Sequence, residues 1–114
     1  MDFTTLRTYL LAKPGASEDF PFDTVTLVVK VGSKMFALVA IDEAPLRLNL
    51  KSQPEQAALL RELYPAVLPG YHMNKRHWNT VVLDGSLADE EVLGMINDSY
   101  RLVVEGLPKK LRPA

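Results

Sequence analysis

The stretch TVTLVVKVGSKMFALVAIDEAPLRLNLK, residues 24–51, decides the fold. In its first arm Val25, Leu27, Val29 and Val31 occupy every second position, the period of a strand with one buried face. Gly32-Ser33 follows, and a glycine at the first turn position suits a two-residue hairpin of type II′. Met35 to Ile41 returns as an almost wholly apolar strand, which predicts a central place in a sheet. Asp42-Glu43-Ala44-Pro45 makes the next turn. Leu46, Leu48 and Leu50 then alternate with Arg47, Asn49 and Lys51, a strand with one wet face. The result is a three-stranded antiparallel meander.

Working outward, Asp2 is placed to cap a helix whose apolar positions are Phe3, Leu6 and Leu10. Lys13-Pro14-Gly15 ends that helix, and polar Ala16-Ser17-Glu18-Asp19 reads as a connection. Phe20-Pro21-Phe22 reads as a rigid link whose rings close over one end of the core. On the other side, Ser52-Gln53-Pro54-Glu55 fits a capping box for a helix through Ala57, Leu60, Leu63 and Tyr64 that stops at Pro65. A loop is predicted from Ala66 through Pro69-Gly70 to Arg76, and a strand from Trp78 to Leu83, closed by Asp84-Gly85.

Ser86 is the predicted cap of the longest helix, with Asp89, Glu90 and Glu91 in its first turn, where the helix dipole favours acids. Leu93, Ile96, Tyr100, Val103 and Leu107 form its apolar stripe, Pro108 stops it, and Lys109-Lys110-Leu111-Arg112 reads as a frayed basic tail. The order helix, three strands, helix, strand, helix lacks any repeated βαβ unit. It predicts one α+β domain over residues 1–114, an antiparallel sheet with helices packed on one face.

Composition narrows the function classes. A hydrophobic share of 47% in 114 residues suffices for one core. Cysteine is absent, which excludes disulfides, thiolate metal sites and cysteine nucleophiles. No apolar run approaches the roughly 18 residues of a membrane span and no secretory pattern opens the chain, so a cytoplasmic protein without a membrane partner is expected. A net charge of −1 requires any anionic partner to be met by a local patch.

Such a patch is offered by Tyr71-His72-Met73-Asn74-Lys75-Arg76-His77-Trp78, with two cations, two histidines and two aromatics in eight residues. Lys75 and Arg76 suit phosphates, Tyr71 and Trp78 suit base stacking, and Arg47 and Lys51 extend the patch if the sheet brings them alongside. The plainer reading makes Trp78 a core or rim anchor and lets Tyr71 and His72 fix the loop by hydrogen bonds. His72 and His77 alone are too few for a tight metal site, so neither a metal nor another cofactor is expected. Glu18-Asp19 beside the two phenylalanines could line a cleft, although a solvated connector is the simpler account. No nucleophile elbow, phosphate loop, dinucleotide fingerprint or zinc-protease motif occurs, and no enzymatic activity is expected.

The stretches Glu18 to Phe22, Lys30 to Ala37, Leu48 to Lys51, Tyr71 to Trp78, Leu83-Asp84-Gly85 and Ser99-Tyr100 together resemble the MmcQ/YjbR family of small bacterial proteins. The Tyr-His-Met-Asn-Lys-Arg-His-Trp segment is the specific part of that likeness. The resemblance implies a fold similar to frataxin-like and secretion-chaperone-like α+β domains. It also implies DNA binding through a double-wing arrangement of strands, and brings no catalytic residues. The leading expectation is a DNA-binding domain using the basic-aromatic loop, as a monomer or weak homodimer. The alternatives are a protein-interaction or chaperone-like adaptor and, last, a frataxin-like metal carrier.

Overall fold

The computed structural model describes residues 1–113. In chain order the elements are α1 (Phe3–Leu11), β1 (Ala16–Asp19), β2 (Thr26–Val31), β3 (Lys34–Ala40), β4 (Arg47–Lys51), α2 (Pro54–Leu63), β5 (Val67–Pro69), β6 (Trp78–Val82) and α3 (Asp89–Glu105), followed by a short 3-10 turn at Lys109–Leu111. The six strands form one antiparallel sheet in the order β1-β2-β3-β4-β6-β5. The meander is its centre, and α+β is the correct class.

Register explains which residues are buried where. Leu27, Val39, Leu48 and Val81 lie opposite one another across four strands, as do Val29, Ala37, Leu50 and Asn79. These two rows form the face that the helices cover. Leu6 and Leu10 of α1 and Val92, Met95, Ile96 and Val103 of α3 complete that core. Between the rows runs Val28–Leu38–Asn49–Thr80, and beyond the first lies Thr26–Ala40–Arg47–Val82. Because strand side chains alternate, these point to the sheet's other face, where no helix packs.

One irregularity ties α3 to the sheet. Val29 faces Ala37 but Lys30 faces Met35, so Phe36 is an extra residue, a β-bulge in β3. On the other side of β3, continuing the register would set Phe36 against Lys51. The Ser99 hydroxyl stands there instead, donating to the Phe36 carbonyl at 2.6 Å and accepting from the Lys51 N–H at 2.9 Å. The bulged Phe36 ring meets Tyr100 edge-on, centroids 5.3 Å apart.

Several local expectations are corrected. Ser33 has φ +68° as well as Gly32 at +54°, so the hairpin is type I′, not II′. Ala16–Asp19 is an edge strand rather than a connection, and Val67–Pro69 is a strand within the predicted loop. Neither predicted serine cap is used: α2 starts after Gln53 and α3 after Ala88, and Ser86 bonds Asp84 instead. Asp2 does cap α1, accepting from the Thr5 N–H at 2.8 Å. The α3 stripe is rotated toward Val92, Met95 and Ser99, leaving Leu93 and Tyr100 half-buried, and Leu63 of α2 is exposed. The basic tail is folded back, with the Arg112 guanidinium donating to the carbonyls of Glu105 and Leu107. The rings of Phe20 and Phe22 do not close the core; both are exposed.

Candidate functional site

The face without helices carries a cleft of about 520 Å³, within the usual range for small-ligand sites. Its floor is the Val28–Leu38–Asn49–Thr80 side of the sheet: Leu38 and Ala40 supply apolar surface from β3, and Arg47, Asn49 and Thr80 supply polar groups from β4 and β6. Two loops wall it. The segment before β2 brings Phe22, Asp23 and Val25, and the segment before β6 brings Tyr71, His72 and Met73. Asp42 and Glu43, in the β3–β4 turn, add carboxylates.

Each wall has a local cause. The Asp23 carboxylate folds its own loop by accepting from the Val25 and Thr26 N–H groups, at 2.9 and 2.7 Å, and from the Thr26 hydroxyl at 3.1 Å. The Val25 N–H, with further help from Thr26, holds this carboxyl below the ordinary carboxylate range. The second wall turns at His72, which has φ +58°, and is pinned at both ends. At its start Gly70 bonds the Trp78 carbonyl at 2.9 Å. Any Cβ there would lie 2.8 Å from the same carbonyl oxygen, so the close approach requires glycine. Across the loop, the Lys75 ammonium donates to the Gly70 carbonyl at 3.1 Å. From α2, Arg61 donates to the Lys75 carbonyl at 3.0 Å and to Asn79 Oδ1 at 2.7 Å.

A third tie joins loop and floor. The Thr80 hydroxyl accepts from the Tyr71 N–H at 3.0 Å and donates its own proton to Asn49 Oδ1. Tyr71 itself projects, 68% exposed, with its ring 4.0 Å from that of His72, centroid to centroid. Across the same cleft Phe22 is 64% exposed.

The sequence-predicted residues therefore separate into groups. Tyr71, His72 and Arg47 come together on the cleft. Lys75 and Arg76 lie on the exposed outer part of the loop beside it, and Lys75 spends one donor on the loop itself. His77 is half-buried, its carbonyl accepting from the Ser52 N–H at 2.8 Å. Trp78 and Lys51 pair across β6 and β4 and line a different, shallower groove with Lys34, Leu102 and Gly106. Among the described residues, no three His, Asp or Glu side chains gather in a metal-holding group. Sequence reasoning weighed a cleft beside Phe22 but preferred a solvated connector, and it missed Met73, Asn49 and Thr80 as cleft residues. The available signal was β3, apolar at both odd and even positions, which means that the face away from the helices is also covered.

The architecture is an antiparallel sheet backed by helices on one face, with a walled cleft on the other. The YjbR family model matches residues 11–102, and the chain belongs to that family. It is 39% identical over 112 residues to the uncharacterised YjbR protein of Escherichia coli K12, spanning 98% of this chain and 95% of that one. The crystal structure of a Deinococcus radiodurans protein with a DUF419 domain superposes with a TM-score of 0.89 at 43% identity, covering 95% of this chain and 83% of that one. A Pseudomonas syringae protein superposes with a TM-score of 0.77 at 31% identity, covering 90% and 98%. No helix among the described residues is long and apolar enough to cross a membrane.

Proposed function

We propose that the chain is a non-catalytic nucleic-acid-binding domain that takes single strands, at the cleft and the Tyr71–Arg76 loop beside it. One observation carries this reading: two exposed aromatic rings, Phe22 and Tyr71, flank one cleft that also contains Arg47. Rings left in water on opposite walls are placed to stack on unpaired bases, at about 1–3 kcal/mol per base. Arg47, Arg76 and the remaining donors of Lys75 supply about three phosphate contacts, so the salt slope on a single strand is about −2.

Duplex DNA is disfavoured by the same architecture. Reading a major groove takes a free helix or a projecting two-stranded ribbon. All three helices are packed against the far face of the sheet, and the β2–β3 turn is covered, with Leu107 and the Leu111 carbonyl against Gly32. Leu59 and Leu63, one turn apart on α2, and Leu68 on β5 are also exposed, which favours a protein partner on α2 as the second reading.

The test is fluorescence anisotropy of labelled single-stranded DNA, single-stranded RNA and duplex, at about 50 and 200 mM salt. Tyr71→Ala and Arg76→Glu proteins are measured in parallel. Single strands should bind, more weakly at high salt and in both variants. Equal binding of duplex, or single-strand binding untouched by either variant, overturns the reading. Trp78 lies in the other groove, so its fluorescence is a poor reporter of this site.

A further inference from the structure

We infer that the cleft is a pocket for one unpaired nucleobase, read at its edge by the Asn49 carboxamide; this rests on the single-strand reading above. The hydrogen bonding assigns the amide. Thr80 accepts from the Tyr71 N–H and donates its single proton to the Asn49 carbonyl oxygen. The Asn49 NH₂ group is left with no protein acceptor among the described residues, half-buried on the floor of a cleft. Every buried side-chain polar atom among the described residues has a partner, so this NH₂ is open to the cleft, where a donor in a largely apolar surround is matched by a ligand acceptor.

The remaining lining says which acceptor. Asp42 and Glu43 repel a phosphate backbone drawn into the cleft, but accept from an exocyclic amine. Val25, Leu38, Ala40, Met35 and Met73 offer apolar contact to a ring, and Phe22 and Tyr71 stand at its faces. Arg47 is the cation within the lining and takes the phosphate attached to the same nucleotide. An acceptor and an amino group on one edge, on a flat ring carrying a phosphate, describe adenylate, cytidylate or guanylate, and leave out uridylate. The same group can arrive free or within a strand.

The chain Asn49–Thr80–Tyr71 also links occupancy to the loop. A base that engages Asn49 alters the hydrogen bond at the Tyr71 N–H, two bonds away through the Thr80 hydroxyl.

The experiment titrates cytidine, guanosine, adenosine and uridine monophosphates into the isotope-labelled protein, following the Asn49 side-chain amide and the Tyr71 N–H by NMR. Oligonucleotide binding is measured alongside by anisotropy. Two variants accompany it: Asn49→Asp, near-isosteric and still able to accept from Thr80, and Ala40→Phe, which fills the floor. Adenylate, cytidylate or guanylate should shift both resonances more than uridylate does, and each variant should weaken oligonucleotide binding about tenfold or more, the loss of one hydrogen bond to a polar edge. Oligonucleotides that bind the wild type and a folded variant equally, with neither resonance moved by any mononucleotide, overturn the pocket and leave the single-strand reading standing. Failure of oligonucleotides and mononucleotides alike removes both.

Discussion

Ser99→Ala deletes one oxygen atom and adds no bulk, yet it should be among the most damaging single changes in this chain. Ser99 is fully buried, and its hydroxyl serves the Phe36 carbonyl and the Lys51 N–H together. Removal leaves both backbone groups without partners beside the bulge. An unsatisfied buried group costs about 1–3 kcal/mol, so the pair costs about 3 kcal/mol once the hydroxyl's own desolvation is recovered. A domain of this length unfolds with an entropy of about 0.24 kcal/mol/K, which converts the loss to a Tm lower by about 12 °C. Calorimetry at neutral pH measures the shift, and hydrogen exchange at the Lys51 amide should show protection lost there first. A drop below about 4 °C would refute the reasoning. It would mean that β3 and β4 close the gap and bond directly, so that the hydroxyl is a convenience and not a bridge.

Other perturbations follow from the same geometry. Arg61→Leu removes the donors to the Lys75 carbonyl and Asn79 Oδ1; a loss of about 2 kcal/mol and faster amide exchange across residues 71–77 should be seen together. Gly32→Ala and Gly85→Ala both force a side chain to positive φ, but only at Gly32 does the new Cβ meet a neighbour, Leu107 Cδ1 at 2.6 Å. Denaturant melts should therefore cost about 1 kcal/mol at Gly85 and at least twice that at Gly32; equal costs would contradict the packing at the turn. Glu18 is held below its ordinary range chiefly by its side-chain hydrogen bond from Arg7, so the pair's stabilisation is present at neutral pH and lost as pH falls through the folded-state value. Arg7→Met should flatten the fall in Tm on acidification, most visibly below the pKa of a free glutamate. Phe22→Ser should leave Tm within about 2 °C of wild type, because an exposed ring contributes little to folding, while single-strand affinity drops.

The meander was legible because the helix-facing residues recur with a period of two, which Leu27, Val29, Val31, Leu48 and Leu50 obey, although Val28 and Leu38 are buried on the other face as well. The edges were not. β1 reads Ala-Ser-Glu-Asp and is held by backbone pairing to β2, a contact that leaves no mark on side-chain pattern. β5 has three residues and ends in proline, too short for any period to appear. The serine caps failed because the chain supplied other solutions at those ends, the Asp84–Ser86 turn among them. The site was half visible. Composition singled out the Tyr71–Trp78 segment, but folding divides it between a cleft and a separate groove. Asn49 and Thr80 looked like ordinary wet-face residues, since their meaning lies in register: they are neighbours only because Asn49 of β4 pairs with Thr80 of β6.

The two ends of the sheet have a consequence for how this protein behaves when crowded. An open strand edge invites a second chain to add itself, and long flat apolar edges nucleate fibres. Here one edge is β1, only four residues long and carrying the charged Glu18 and Asp19 at its end. The other is β5, three residues long and finished by Pro69, which has no N–H to offer an incoming strand. A sheet whose interior strands are among the most apolar segments of the chain is thereby denied a template for intermolecular growth. The native fold can stay dispersed at high concentration without a strongly charged surface to keep its copies apart.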